Sequence, residues 1–433
     1  MTSLPVNIQK YLTKYGISDY TINPVPEKKY EFIIVLPAIK ECENIPVLLQ
    51  SLNSQQSQHS DKVLLLIVLN NTKSAGEDIK SDNLQSKNYL DQAILERKYP
   101  NLNISYIDVF SSGREMPDKE GGVGLARKIG MDAALTFLDY SEQKKQIIGC
   151  LDADCTVMSN YFDAVYDYYK QYNTSAGYVN YFHPMPEDNE SKKAIICYEI
   201  FLRFYVFGLT VAESPYAFHT IGSTMNCSAE AYVKIGGMNK RKAAEDFYFM
   251  EKLSKIAKIE RINDTTIFPS GRGSFRVPFG TGQRVNRYLA GTHEEYYIYN
   301  INSFYLLKEW VELFHTMEAP PADYYLSKAE KIDNNLSQFL LDNNFVTDWE
   351  RILKNSKNGK QILLQKRLWF DGFRTLKLIH YLRDNGYPNL PMFPHLAENL
   401  EKVGVALPRE YNGEELPDLD TQEKFLNLLR SVS

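Results

Sequence analysis

Short apolar runs recur along the first third of the chain, at Phe32 to Leu36, Val63 to Leu69, Ile104 to Val109 and Ile147 to Leu151, with a helix-length stretch between each and the next. A strand buried on both faces reads as such a continuous run, and strands alternating with helices predict a parallel sheet with right-handed crossovers. The crossover helices are expected at about Asn44 to Leu52, Asn83 to Glu96 and Val123 to Leu138; in the last, Leu125, Ile129, Ala133 and Phe137 repeat every four residues. Beyond Asp154 the rhythm changes to an extended segment, Gly177 to Phe182, an aromatic-rich helix around Ile195 to Leu209, and a glycine-rich basic loop from Ser270 to Gly282. After about Asn300 the pattern is helical, with candidates at Phe304 to Met317, Leu326 to Asn343, Lys366 to Asn385 and Glu423 to Leu429. The expected organisation is an N-terminal helical segment over 1–30, an α/β domain over 31–300 and a helical C-terminal extension over 301–433. The α/β domain would divide into two halves, 31–176 and 177–300.

The run at Ile147 ends in Leu151-Asp152-Ala153-Asp154. In open α/β sheets ligands bind beyond the carboxyl ends of the strands. Residues two apart on an extended segment face the same side, so Asp152 and Asp154 can both address one hard divalent cation, Mg²⁺ or Mn²⁺. The same spacing also caps helices and solvates loops. Four further stations follow the same edge. Pro37-Ala38-Ile39-Lys40-Glu41 leads from a strand end into a helix, where its amides and Glu41 can hold a base or ribose, or simply complement the helix dipole. Asn70 and Asn71 follow the second run and offer donors and acceptors to a nucleobase edge, although they suit a turn equally well.

Gly121-Gly122-Val123-Gly124 opens a helix that carries Arg127 and Lys128 in its first turns. Two cations there oppose the helix dipole, a conflict that a bound phosphate or a nearby carboxylate would relieve; a solvated basic face is the plainer alternative. Glu245 and Asp246 follow Ile235-Gly236-Gly237-Met238, and Asp246 is the candidate general base for a hydroxyl acceptor. Without that role, the two acids would be an ordinary first helical turn.

In this order the stations resemble family 2 glycosyltransferases of the GT-A fold, over roughly residues 31 to 290. That family pairs a Pro-x-x-Asn-Glu loop, an acidic pair after the second strand, a Gly-x-Ala-Arg helix, Asp-x-Asp, and Gly-Gly followed by Glu-Asp. The resemblance implies a nucleotide-sugar donor, UDP- or GDP-linked, with Mg²⁺ or Mn²⁺ on its diphosphate, and makes 31–176 the nucleotide-binding half and 177–300 the acceptor half. Asp154 would bind the metal, Asp152 the ribose or metal, and Asp246 would serve as base in an inverting transfer with Glu245 beside it. Lys40 stands where the family has Asn, and Asn70 and Asn71 replace its uracil-gripping acids. A later histidine often completes the metal site, and His293 is the candidate.

The loop from Ser270 carries Arg272, Arg276 and Arg284 among glycines, suiting it to close over a phosphate or carboxylate; an ordinary basic surface loop is the alternative. This loop is also similar to that of mannosylglycerate synthase-like enzymes, which retain configuration. Nucleotidyl transfer also uses a glycine-rich, arginine-bearing loop with paired acids, but there the loop follows the first strand, where this chain has Pro37 to Asn44. A non-catalytic carbohydrate-binding or scaffold protein is the remaining alternative.

Composition narrows the classes. Hydrophobic residues make up 44% and charged residues 24% of 433, which are globular values. A net charge of -5 argues against bulk attraction to nucleic acid or anionic lipid, so any anion site must be local. Five cysteines without metal-type pairing suit a reducing cytoplasm. No membrane span is expected, because Glu199 and Arg203 interrupt the most apolar stretch, Ala194 to Ala212, and Met1 to Lys10 holds no apolar signal core.

Overall fold

The computed structural model describes residues 4–273 and 280–433. Arg276 therefore lies outside the described residues. The chain forms two compact units, one of residues 1–184 and 220–282, the other of 185–219 and 283–433.

The elements of the first two thirds are α1 Val6–Tyr15, β1 Thr21–Asn23, β2 Phe32–Ala38, α2 Asn44–Asn53, β3 Val63–Asn70, α3 Glu77–Leu95, β4 Asn103–Val109, α4 Val123–Phe137, β5 Ile147–Cys150, β6 Thr156–Val157, α5 Tyr161–Tyr172, β7 Ala176–Tyr181, α6 Asn189–Val211, β8 Met225–Ser228, α7 Ala229–Lys234, α8 Glu245–Ser254 and β9 Glu260–Phe268. The nine strands make one mixed sheet in the first unit, ordered β1-β4-β3-β2-β5-β8-β7-β9-β6. Strands β4, β3, β2 and β5 run parallel, as the apolar runs predict; β8 then pairs antiparallel with both β5 and β7.

Strand alternation explains how both faces are filled. Phe32, Ile34, Leu36, Leu65, Ile67 and Leu69 share a core with Ile45 and Leu48 of α2, Leu90 of α3 and Phe162 of α5. The intervening residues face α4. A methyl group added at Gly130 would come within 2.9 Å of Val68 Cγ2 and would meet Val35 too, so α4 lies almost directly on β2 and β3. Helix α4 is buried nearly all round, and its basic residues are neutralised there. Lys128 Nζ pairs with Asp132 at 2.9 Å and donates to Tyr11 Oη at 2.9 Å, while Tyr11 and Tyr232 hydroxyls donate to Asp132 Oδ1 at 2.8 and 2.7 Å. This network fastens α1 to α4 and α7. The N-terminal segment read as helical also supplies β1, an edge strand antiparallel to β4.

The second unit contains α6 and then α9 Thr281–Leu289, β10 Tyr297–Ile298, α10 Asn302–Phe314, α11 Ala322–Ile332, α12 Asn334–Asp342, α13 Phe345–Asn355, α14 Gly359–Trp369, α15 Gly372–Asp384, β11 Leu390–Pro391, α16 Met392–Lys402 and α17 Leu419–Val432. Only Gln283–Leu289 of α9 falls within it. Two stretches read as single long helices are each broken in two. Asp333 interrupts the first by capping α12 through Asn335 N–H, and Asp371 interrupts the second by capping α15 through Arg374 N–H.

Compactness also divides the chain differently from the boundary read at 300, because α6 packs on α10 and α17. Its two interrupting charges are what bind it there. Glu199 accepts from Arg203 Nε at 2.8 Å and from Arg430 Nε at 2.7 Å. Among the described helices, α6 alone is long and apolar enough to cross a membrane, and 72% of its apolar window is buried inside the protein. Lys366 is a second buried charge, with Nζ donating to the Glu318 carbonyl at 2.7 Å and to Tyr325 Oη at 2.6 Å; burial pulls its pKa down to about 8. All five cysteines are free thiols, and burial pushes that of Cys150 up to about 12.

Candidate active site at the sheet edge

The carboxyl ends of β2 and β5 lie side by side, and the chain leaves β2 for β3 on one side of that seam. Reversal of strand order there opens a crevice, the usual ligand position in such sheets. Glu41 follows β2, and Asp152 and Asp154 follow β5. One guanidinium spans the seam. Arg272 Nη2 lies 3.0 Å from Glu41 Oε2 and 3.2 Å from Asp154 Oδ2. Glu41 Oε2 also accepts from Asn44 Nδ2 at 2.5 Å, which fixes the carboxylate at the start of α2.

The two aspartates are paired with different guanidiniums. Strand β5 ends at Cys150, and the Cys155 amide returns to the Asp152 carbonyl at 3.2 Å. This closes a turn, so the extended geometry expected for Asp152 and Asp154 is absent. Asp152 instead pairs with Arg127 at 2.5 Å, and Asp154 pairs across the seam with Arg272.

Arg127 is the structural centre of the site. It is 2% exposed, and its other terminal nitrogen pairs with Glu245 of α8. Burial works to lower its pKa, but the Asp152 and Glu245 charges outweigh that and raise it. The expected conflict with the helix dipole is thus relieved by two carboxylates, and the solvated-face alternative does not hold. Room for the guanidinium depends on Gly222, where a methyl group would lie 2.7 Å from Arg127 Cζ.

Beside this pair Asp246 is partly open to solvent, and its Oδ1 accepts from the Phe247 amide at 2.7 Å. Burial of the carboxyl, reinforced by the Glu245 charge and opposed by Arg127, pushes its pKa up to about 7. Glu245 is also raised by burial, against the pull of Arg127, and at 3% exposure it is a partner for that arginine rather than a group open to substrate. Ala244, the residue before the pair, sits at φ 56°, a left-handed conformation costly for a residue with Cβ and frequent where a site imposes its geometry.

Other predicted residues have different settings. Asn70 Nδ2 donates to the Ala38 and Val68 carbonyls at 3.1 and 3.0 Å. Asn71 is fully buried, donating to the Thr72 carbonyl at 3.0 Å and accepting from Asn83 at 2.9 Å. Their amide donors are thus spent on tying strand ends together. Asn83, which the sequence reading missed, also donates to the Asn70 carbonyl at 3.0 Å and accepts from the Lys40 amide at 3.1 Å. Its burial inside α3 leaves no signal in the sequence. Lys40 adopts φ 55°, a conformation that asparagine tolerates better, as the resembled motif has there. Pro37 and Ala38 end β2, and Ala38 is buried. Gly124 donates its amide to the Arg241 carbonyl at 3.2 Å, which makes it a packing contact.

His293 belongs to the second unit and is exposed, with Nδ1 3.0 Å from Thr292 Oγ1. Among the described residues, no three His, Cys, Asp or Glu side chains gather as a ready metal cage. The donors that fit a hard divalent ion are Glu41 and Asp154, whose carboxylate oxygens already share one positively charged partner.

No family model and no curated protein matches the chain. Solved structures similar to it include S. aureus TarS 1-349 in complex with UDP-GlcNAc, at 12% identity over 89% of this chain and 95% of that one, with a TM-score of 0.39. A longer S. aureus TarS structure matches over 60% of this chain and only 42% of its own length, at 12% identity and a TM-score of 0.34. The mannosyltransferase PcManGT from Pyrobaculum calidifontis, in complex with GDP-Man and Mn²⁺, is similar over 98% of this chain and 91% of that one, at 12% identity and a TM-score of 0.39.

Proposed function

We propose that the chain is a nucleotide-sugar-dependent glycosyltransferase of the GT-A, family 2 type, with its donor diphosphate over the β2/β5 seam. The observation that carries this reading is the buried Arg127, which ties Asp152 at the end of β5 to Glu245 and so sets Asp246 beside the strand-end acids. A carboxyl group with a pKa near 7 is suited to general base catalysis at neutral pH.

In this reading Asp246 takes the acceptor hydroxyl proton as that oxygen bonds the anomeric carbon and the bond to the diphosphate breaks, its electrons leaving with the nucleotide. The configuration inverts. Glu41 and Asp154 would hold the divalent ion, and Arg272 would turn from them to the diphosphate oxygens. The bound ion would neutralise charge developing on the leaving group. His293 is left outside this ligand set because it lines an arginine-rich cavity, a poor setting for a cation. Asp246 and Asp152 remain the proposed base and ribose contact.

The test is release of nucleoside diphosphate from UDP-GlcNAc and GDP-mannose, with and without Mn²⁺. Metal-dependent release from one donor is expected, and Asp154→Ala should reduce it at least a hundredfold. Activity that survives that substitution with its metal dependence intact would contradict the assignment.

A further inference from the structure

The second unit carries a cavity of about 240 Å³, open to solvent, with a charge pattern that the proposed transfer does not use. Its lining includes Phe201, Arg284, Arg287, Tyr299, Arg383 and Asn389. Arg284 and Arg287 stand one helical turn apart on α9, and both depend on a single carboxylate. Arg284 Nη2 is 3.1 Å from Glu295 Oε2, and Arg287 Nη2 donates to the same oxygen at 2.9 Å while its Nε binds Oε1.

Glu295 is 7% exposed and cannot neutralise two guanidiniums. Arg383 is satisfied separately by Asp384, at 2.8 and 3.0 Å. Glu294, also in the lining, is exposed to solvent. Among the described residues, two guanidiniums thus share the one buried carboxylate of Glu295.

Two buried polar atoms of lining residues, Arg284 Nε and Asn389 Oδ1, find no hydrogen-bond partner among the described residues. An unmade bond at a buried donor or acceptor is costly, and such atoms call for an explanation. The Arg284 guanidinium lies 4.6 Å from the Phe201 ring centroid, so its plane is held by an aromatic face. Burial lowers its pKa, and Arg287 adds to this against the pull of Glu295, consistent with a cation short of counter-charge.

We propose that this cavity binds a small oxyanion ligand, a phosphate ester or carboxylate with a short hydroxylated tail. The anionic oxygens accept from Arg284 Nε–H and from the Arg284 and Arg287 termini, and a ligand hydroxyl donates to Asn389 Oδ1. A volume of about 240 Å³ suits the head of a three-carbon phosphate or acid.

The experiment is calorimetric and thermal-shift titration of the full chain with glycerol 1-phosphate and, separately, lactate, against sodium chloride at matched ionic strength. Saturable binding of at least one probe, with no matching effect of chloride, is expected; the tighter probe identifies the head group. Arg284→Gln should weaken that binding at least tenfold, with the ligand-free melting temperature changing little. Should that variant misfold, Asn389→Leu provides the second reading, with an expected loss of about fivefold. Absence of saturable binding by both probes, or affinity unchanged in a folded variant, would overturn the proposal.

Discussion

The sheet-edge site of the first unit and the α9 cavity of the second are built with opposite charge ratios. At the sheet edge, among the described residues, two arginines face five acids: Arg127 pairs with Asp152 and Glu245 with Asp246 close by, and Arg272 pairs with Glu41 and Asp154. In the cavity, among the described residues, Arg284 and Arg287 both pair with the single carboxylate of Glu295. Charges kept out of bulk water demand compensation, so the first arrangement has room for a cation and the second for an anion. The difference also separates fixed from replaceable partners. Arg127 is 2% exposed, whereas the Arg272 side chain is 42% exposed and can exchange its carboxylates for other partners.

The largest break in this comparison is expected from Arg127→Met. Removing one member of a buried ionic cluster leaves the others uncompensated, at a cost of about 3–5 kcal/mol. Urea denaturation should show that loss, and donor turnover should vanish with it. A loss below about 1 kcal/mol would mean that the acids are not held by this arginine.

Asp246→Asn should separate function from stability. Turnover is expected to fall about 10²- to 10⁴-fold, the usual range for a general base. Stability should move the other way. The unfolded carboxyl gives up its proton near the ordinary 3.8 and the folded one near 7, so rising pH favours the unfolded chain throughout that window. Asparagine removes this penalty. The variant should therefore match the parent near pH 4 and exceed it by on the order of 1 kcal/mol at pH 8, after discounting for partial exposure. Thermal melts at both pH values check this, and a variant less stable at pH 8 than its parent would contradict it.

The smallest effect is expected for Arg272→Ala, which removes a half-exposed ion pair worth about 0–1 kcal/mol. Mn²⁺ binding in the absence of nucleotide should be unchanged or tighter, because Glu41 and Asp154 lose a competing cation. Weaker binding would mean that Arg272 helps to build the metal site.

The parallel core was legible because β2, β3, β4 and β5 are apolar runs with both faces covered, and the strand-end positions of Glu41, Asp152 and Asp154 followed from it. The partners of those acids were not legible. Arg127 meets Glu245 from 118 residues away, and Arg272 meets Glu41 from 231 residues away; pairings at such separation leave no local pattern. The helix breaks at Asp333 and Asp371 were overlooked because apolar spacing continues across them, although both are capping residues. Helix α9 was hidden for the opposite reason. Its first residues, Thr281-Gly282-Gln283-Arg284, read as part of a glycine-rich loop, and with them went the arginine spacing that forms the cavity.

Titration with Mn²⁺ followed by electron paramagnetic resonance tests the central claim most directly. The acids on either side of the β2/β5 seam should give one saturable Mn²⁺ site that tightens in the presence of UDP or GDP and is lost in Asp154→Ala. Mn²⁺ binding equal in the parent and in Asp154→Ala, with or without nucleotide, would contradict the account.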